Sequence, residues 1–286
     1  MADEEDNALL LLSKDVVSAF LVVGLVFVFG FLYTGNWPPM VVIESGSMQH
    51  DDNLGYHGYQ EPPYHHIGTI DTGDLVLVKE VDEEDIITYL EGKKIGYEKY
   101  GDYGDVIVYY KNNLREYEGV STTPVIHRVM CWIDVLENGT YYVRETGEYF
   151  ENDLVIEEIG ANFSKYGNGD SHGRPDLKRS GYLTKGDSIY NPSVDQRGHS
   201  DRSGARVEPV TLEEIVGKAK GELPWFGLIK LRVTQGDNYA KAPEECKKML
   251  IVGLFVIFVV PYIASKAWEN YNVTNSERVK PKKKRE

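Results

Sequence analysis

The segment VIHRVMCWIDV, residues 125–135, decides the fold of this chain of 286 residues. It is a long run of β-branched and apolar residues, which is typical of a β-strand. Similar runs lie around it, LVLVKEV at 75–81, VIVYY at 106–110 and TYYVRE at 140–145, with Gly, Asp and Asn residues between them. Short β-rich runs bounded by turn residues favour antiparallel pairing. The sequence therefore predicts a mostly β fold built around an antiparallel β domain.

Two uncharged runs flank this β-rich region. The first, Val16 to Tyr33, reads VVSAFLVVGLVFVFGFLY, and the second extends over the seventeen residues from Met249 to Ser265. The first run is long enough to cross a bilayer, and the second lies at the short edge of the spanning range. No small-x-small cleavage pattern follows Tyr33, so a retained anchor is favoured over a cleavable signal peptide. Outside these runs, TLEEI at 211–215 resembles the capped start of a short helical turn.

Basic residues near the second run predict the orientation of the chain. Seven lie after it and three just before it, which predicts a cytosolic C-terminus. The closing PKKKR also resembles a nuclear import signal, but beside an apolar run such a cluster is more often a topology anchor. The predicted plan is a cytosolic N-terminus at 1–15, a transmembrane helix at 16–36, an extracytoplasmic β domain at 37–248, a second transmembrane helix at 249–265 and a basic cytosolic tail at 266–286. We therefore expect a multi-pass protein of the cell membrane.

Charge and cysteine content exclude some classes of protein. The net charge is −14, from 45 acidic and 31 basic residues, which argues against a nucleic-acid partner because phosphate binding needs an excess of Lys and Arg. The two cysteines, Cys131 and Cys246, are too few for a disulfide framework. They are either a single bridge or two free thiols.

Candidate chemistry begins just after the first apolar run. Ser47 lies in Glu44-Ser45-Gly46-Ser47-Met48, a pattern that alone is typical of a turn, and a serine hydroxyl needs a base to become nucleophilic. His127 lies inside the β-run 125–135, where a lone histidine is usually bound to a backbone carbonyl. Asp187, in TKGD, and Asp195 are candidate carboxylates for orienting it, although each singly is more typical of a turn.

The chain also contains a histidine-rich segment, and histidine is a common metal ligand. His50, His57, His65 and His66 lie in QHDDNLGYHGYQEPPYHH with two aspartates. Their spacing matches no tetrahedral template, and Pro and Gly interrupt it. We therefore predict a solvated loop and no metal.

Taken in order, these pieces resemble signal peptidase I of the archaeal and endoplasmic-reticulum type. The order is an apolar run, Ser45-Gly46-Ser47-Met48, His127-Arg128, then TKGD with a downstream Asp, and the resemblance covers about Val41 to Leu231. It implies a membrane-tethered β domain that removes signal peptides from exported proteins by endoproteolysis.

Carried over by residue, the resemblance implies that Ser47 is the nucleophile and His127 its general base. The Ser47 N–H and the Ser45 hydroxyl would be oxyanion donors. Asp195 is favoured as the residue that orients His127, with Asp187 as a structural or supporting carboxylate. Their spacing of eight positions is longer than the family usually shows. Met48 would pack toward lipid or the substrate groove.

Two inserts depart from the family pattern, Gln49 to Thr69 and Glu145 to Tyr182, and we expect both to lengthen the rim of the site. Sequons begin at Asn138 and Asn162 on the predicted outer side and at Asn272 in the predicted cytosolic tail. The orientation therefore predicts glycosylation sites at the first two positions only.

The resemblance also implies the partners of the chain. These are the signal peptides of secretory preproteins, the lipid bilayer and, as a further candidate, the protein-export channel, with no cofactor. Two rival hypotheses stay open: a signal-peptidase-like protein that binds partners without cleaving, and a membrane-anchored β-rich binding domain that needs its helices only for location.

Overall fold

The computed structural model describes residues 2–50, 64–82, 85–151, 153–163 and 177–279. Its strands are β1 (Met40–Val42), β2 (Leu75–Lys79), β3 (Glu98–Lys99), β4 (Asp102–Tyr103), β5 (Val106–Tyr109), β6 (Glu116–Tyr117), β7 (Val120–Ser121), β8 (Val125–Val135), β9 (Tyr141–Val143), β10 (Glu148–Phe150), β11 (Leu154–Ile156), β12 (Ala161–Phe163), β13 (Gly181–Lys185) and β14 (Ile215–Leu223). Its α-helices are α1 (Ala2–Thr34), α2 (Tyr89–Ile95), α3 (Asp195–Gly198), α4 (Leu228–Thr234), α5 (Gly236–Lys241) and α6 (Glu244–Val279). Short 3-10 helices cover Tyr64–His66, Lys111–Asn113, Glu157–Ile159 and Leu212–Glu214.

The main sheet confirms the predicted antiparallel β domain. Its strand order is β1-β2-β14-β5-β8-β9-β10, with β13 also paired to β8, and every pairing is antiparallel. The longest predicted run, 125–135, is β8, and the other three contain β2, β5 and β9. Because β8 pairs with β5, β9 and β13, it joins the two halves of the sheet.

The segment between β9 and β13 does not only lengthen a rim, as we expected of residues 145–182. It contains β10 and the β11–β12 hairpin, and five of its side chains are buried in one hydrophobic core with β8 and β9: Leu154, Ile159, Ala161, Phe163 and Leu177. In β12 the buried Ala161 and Phe163 flank the half-buried Asn162, which turns one face of the hairpin toward the core. Residues 164–176 lie outside the described part of the chain.

Two helices are long and apolar enough to cross a membrane. The apolar windows are Val16–Thr34 in α1 and Glu244–Asn272 in α6. The second helix begins at Glu244 rather than at Met249, because its first turns pack on the domain. Cys246 and Leu250 are buried there with Leu228 and Leu231 of α4.

The end of α1 is bound directly to the main sheet. The Thr34 carbonyl accepts the N–H of Glu80, just after β2, at 2.8 Å. The Asn36 side chain donates from Nδ2 to the carbonyls of Val78 in β2 and Val216 in β14, at 3.1 and 3.0 Å. These bonds hold the helix end against two central strands.

Local capping explains the short helical segments. The predicted turn TLEEI is confirmed as the 3-10 helix Leu212–Glu214, in which Thr211 and Glu214 form a reciprocal capping box. The sequence prediction missed α2, although Thr88 caps its N-terminus and Gly96 ends it in the left-handed conformation. Both cysteines are buried free thiols, which decides between the two predicted alternatives.

Candidate active site

Ser47 lies in the turn that follows β1, and a second loop holds its carbonyl. Ser188 N and Asn191 Nδ2 each donate to Ser47 O at 3.0 Å. Gly186 must be a glycine here, because a Cβ would lie 2.3 Å from Ser47 O and 3.0 Å from His127 Nε2. The loop 186–191 therefore fixes the serine backbone next to the imidazole.

The Ser47 hydroxyl points to Ser45. The two Oγ atoms are 3.1 Å apart, and both residues line the same cavity as His127. Among the described residues, no hydrogen bond joins Ser47 Oγ to His127 Nε2. Catalytic hydrogen bonds are often formed only when substrate binds. A proton transfer from Ser47 Oγ to His127 would therefore require the hydroxyl to turn away from Ser45.

His127 is held in one orientation by a buried carboxylate. It lies on β8 opposite Ile107 of β5, is 3% exposed, and its Nδ1 is 2.6 Å from Asp195 Oδ2. A carboxylate accepts hydrogen, so in the neutral ring Nδ1 carries the proton and the Nε2 lone pair is free. This is the tautomer that a general base for Ser47 needs.

Asp195, the first residue of α3, is 1% exposed and stays ionised. Tyr109 donates from its hydroxyl to Asp195 Oδ2 at 2.8 Å, and Thr184 Oγ1 donates to the same oxygen at 2.7 Å. Burial acts to raise the pKa of Asp195, but the charge and hydrogen bond of His127, helped by His199 and Thr184, outweigh it and hold this pKa below its usual value. A permanent negative charge therefore faces His127.

Asp187, the other predicted carboxylate, contacts Arg128 instead of His127. Arg128 Nε donates to Asp187 Oδ1 at 2.9 Å, and Nη2 donates to Oδ2. The Arg128 side chain is buried, and its remaining N–H groups donate to the carbonyls of Lys99, Tyr100, Asp102, Tyr103 and Gly104. The structure thus brings Ser45, Ser47, His127 and Asp195 together and leaves Asp187 outside the cavity as a link between loops.

The cavity that contains these residues has a volume of about 600 Å³. One wall is the edge strand β1 and the residues after it, and the facing wall is the start of β8 with the segment before it. Its apolar lining includes Met40, Val42, Val108, Pro124 and Ile126. A separate cavity of about 730 Å³, around Trp132 and Tyr182, contains none of the predicted site residues.

Two predictions about neighbouring residues were wrong. Met48 does not face lipid or a groove: it is fully buried among Ile43, Ile70 and other core residues, because the turn after β1 folds it inward. The histidine segment is not a solvated loop throughout, since His50 and His66 are buried. His65 pairs through Nδ1 with Glu245 of α6 at 2.8 Å, and His57 lies outside the described residues.

Three contacts of Asp195 were missed by the sequence prediction. Tyr109 and Thr184 were visible only as members of the runs VIVYY and TKGD, and His199 lies four residues after Asp195. The spacing of His199 is the one available signal, since residues four apart share one face of a helical turn.

No protein-family model, no curated protein and no solved structure matches this chain.

Proposed function

We propose that this chain is a membrane-bound serine endopeptidase of the signal peptidase I type, which removes N-terminal signal peptides from exported preproteins. The observation that carries the proposal is the buried contact of 2.6 Å between His127 Nδ1 and Asp195 Oδ2, beside Ser47 in one cavity. Burying a carboxylate is costly, so a buried carboxylate bound to a histidine beside a cavity is a candidate for acid–base work.

The chemistry follows from the roles of these groups. Ser47 Oγ attacks the scissile carbonyl carbon while His127 Nε2 takes its proton, and Asp195 stabilises the resulting imidazolium. His127 then gives that proton to the leaving amine as the C–N bond breaks. Water, activated by the same imidazole, hydrolyses the acyl-enzyme and restores Ser47. The Ser45 hydroxyl and the Ser47 N–H are the proposed donors to the oxyanion.

The substrate groove supports a peptide that binds in extended form. β1 is an edge strand whose other side pairs with β2, so its free backbone groups can accept an added strand. An extended peptide here would direct alternate side chains into the apolar cavity. We propose that this cavity selects the small residues that signal peptides carry next to the cut.

The position of the serine supports a substrate held in a bilayer. Only residues 35–46 separate Ser47 from the end of the membrane-length helix α1, and Thr34 is bound to the sheet. The excess of basic residues after α6 supports an extracytoplasmic domain with both ends in the cytosol. The signal-peptide cut then lies at the depth of Ser47, and the protein-export channel is the partner that would deliver it.

The experiment that tests this proposal compares full-length wild type with Ser47→Ala. Membranes containing each protein are mixed with a radiolabelled preprotein, and the mature product is quantified against time. We expect Ser47→Ala to abolish processing, because it removes the nucleophile and the neighbouring Ser45 hydroxyl is assigned to the oxyanion. Ser121→Ala, a change of an exposed serine in β7, is the matched control and should process normally.

Abundance and resistance to alkaline extraction are measured on the same membranes, so that failed insertion is recognised. A well-inserted Ser47→Ala protein that still processes the preprotein would overturn the proposal. That result would favour the rival membrane-anchored binding domain. If wild type binds the preprotein but does not process it, the result would favour the rival hypothesis of a signal-peptidase-like protein that binds partners without cleaving.

A further inference from the structure

A second histidine touches the carboxylate that orients His127. The single turn of α3 starts at Asp195 and is followed by His199, whose N–H donates to the Asp195 carbonyl at 3.0 Å. This turn brings His199 Nδ1 to 3.2 Å from Asp195 Oδ1. The His199 side chain is 42% exposed and lines the cavity that contains Ser47 and His127.

One carboxylate therefore serves two imidazoles, one at each oxygen. Oδ2 faces His127 at 2.6 Å and Oδ1 faces His199 at 3.2 Å. A single negative charge cannot stabilise two neighbouring imidazolium ions as well as one, because the two cations repel each other. Strongly interacting groups lose their protons in two steps, and each step belongs to the pair rather than to one residue.

The other charged and titratable groups near the two histidines do not take over the role of the Asp195 carboxylate. Tyr109 of β5 faces Asp195, and burial followed by the Asp195 charge raises the pKa of Tyr109 well above its usual value, so this phenol remains a neutral donor. The other charged side chains that line the cavity are Lys111, Lys230 and Glu44. Lys230 Nζ lies 2.7 Å from Glu44 Oε1, so the lysine neutralises that acid. Among the described residues, Asp195 is the acid whose carboxylate lies within 3.2 Å of both histidine rings.

We propose that His199 is a positioning residue of this site, which lies against the second oxygen of Asp195 and, when protonated, competes with His127 for the charge of that carboxylate. The inference rests on the proposed peptidase function and adds regulation of the same site by pH. His199 makes no covalent bond in the reaction.

The direction in which pH changes the activity follows from the repulsion between the two imidazolium ions. Cleavage needs His127 in its neutral form, and a proton on His199 makes it easier for His127 to lose its own. With His199 present, the active form is therefore reached at lower pH. Without it, Asp195 interacts with His127 alone, and the protonated, inactive form of His127 persists to higher pH.

The test is the pH profile of cleavage by purified full-length protein in detergent, using a preprotein substrate between about pH 5 and pH 9. The variant is His199→Asn, which keeps an N–H donor near Asp195 but cannot carry a charge. We expect its acidic limb to move to higher pH, so that kcat/KM at pH 5.5, relative to the plateau, falls about threefold to tenfold below that of wild type. A merely structural role would lower the plateau and leave the midpoint of the limb unchanged.

The matched control is His65→Asn. His65 is also bound to a carboxylate, Glu245, but lies outside the cavity, and its positive φ of 59° is one that asparagine tolerates. This variant should keep the wild-type profile. An unchanged profile in His199→Asn, with Ser47-dependent cleavage intact, would overturn the inference while the proposed function stands.

A second measurement does not depend on cleavage. The imidazole resonances of histidine-labelled protein are titrated by NMR in the Ser47→Ala background, with His127 assigned by its loss in His127→Gln. We expect the His127 titration to move to higher pH when His199→Asn is added. If wild type fails to cleave, the proposed function fails. The titration still tests whether His199 and His127 are coupled. A His127 titration curve that does not move in His199→Asn would overturn this inference.

Discussion

Arg128 donates to both carboxylate oxygens of Asp187 and thereby ties the residue after His127 to the loop that holds Ser47. The neighbours of Asp187 on that loop are Gly186, which lies against His127 Nε2, and Ser188, which donates to the Ser47 carbonyl. A buried ion pair thus sets the distance between the proposed base and the proposed nucleophile without touching either side chain.

Asp187→Asn should therefore destabilise the fold. The variant leaves the buried Arg128 guanidinium without its compensating charge, and breaking such a pair costs about 3 kcal/mol or more. At roughly 2–4 °C per kcal/mol, we expect a decrease in Tm of about 6–12 °C. Thermal unfolding of the detergent-solubilised protein, followed by tryptophan fluorescence, measures this.

A second Arg–Asp pair supplies the control for that experiment. Asp134 also accepts two hydrogen bonds from one guanidinium, that of Arg144, but the two side chains are 26% and 45% exposed. Exposed pairs contribute little, so Asp134→Asn should change Tm by at most about 2 °C. Equal decreases in the two variants would contradict the structural role given to Asp187.

Asp195→Asn should remove most of the catalytic rate and keep the fold. An amide oxygen in the place of Oδ2 can still accept from Tyr109, Thr184 and His127, but it carries no negative charge to stabilise the His127 imidazolium. In a serine protease of another fold, the corresponding change lowers kcat about 10⁴-fold. We expect a loss of about 10³-fold to 10⁴-fold in single-turnover cleavage, smaller than the loss in His127→Ala, because the orienting carboxylate contributes less than the base itself. A rate within tenfold of wild type would argue against Asp195 as the orienting carboxylate.

Glu222 predicts how stability depends on pH. Burial raises the pKa of this β14 carboxyl to about 7, against an ordinary value of 4.5, and Asp71 adds to the effect while the Gly68 N–H opposes it. Between these two values the folded protein binds a proton that the unfolded chain has lost, so stability falls as pH rises from about 4.5 to about 7.

Glu222→Gln should flatten this decline and be more stable than wild type at pH 8. The amide oxygen can still accept from Gly68 N, as Glu222 Oε1 does. Urea unfolding at pH 5, 6, 7 and 8 measures the difference. Glu137→Gln, a change in an exposed turn, should leave the slope as it is, and a similar slope in Glu222→Gln and wild type would contradict the assignment.

The predicted orientation can be read from glycosylation. Asn138 is exposed at the turn between β8 and β9, and Asn272 is exposed near the end of the apolar window of α6. In translation with microsomes, we expect a glycan at Asn138, lost in Asn138→Gln, and none at Asn272. A mobility shift that disappears in Asn272→Gln would reverse the proposed topology.

Local signals allowed the strands to be predicted. The run 125–135 is rich in β-branched and apolar residues and is bounded by turn residues, and it folds as β8 over the same residues. The helical turn at TLEEI could also be predicted, because both partners of its capping box lie within four residues of each other. By contrast, α4 is stabilised by Leu228 and Leu231 packing on Cys246, and this distant contact has no local signature.

The candidate site also contains some residues that local motifs identify and others that only distant contacts bring into place. Ser47 and His127 were identifiable by their motifs, but the choice between Asp187 and Asp195 depends on contacts across 59 and 68 positions. Spacing along the chain favoured Asp195 only slightly. The α3 turn and the Arg128 guanidinium separate the two acids in space, and His199 joins the site only because that turn follows Asp195.

The bonds that Thr34 and Asn36 make to β2 and β14 leave no free linker between α1 and the sheet. When α1 crosses a bilayer, the axis of the helix therefore sets the tilt of the groove, and thermal rocking of the domain is damped by the lipid. Under the proposed function, a preprotein anchored in the same bilayer would reach the protein at the level of that groove. The two would then meet by diffusion within the plane of the membrane, which loses less orientational freedom than docking from solution.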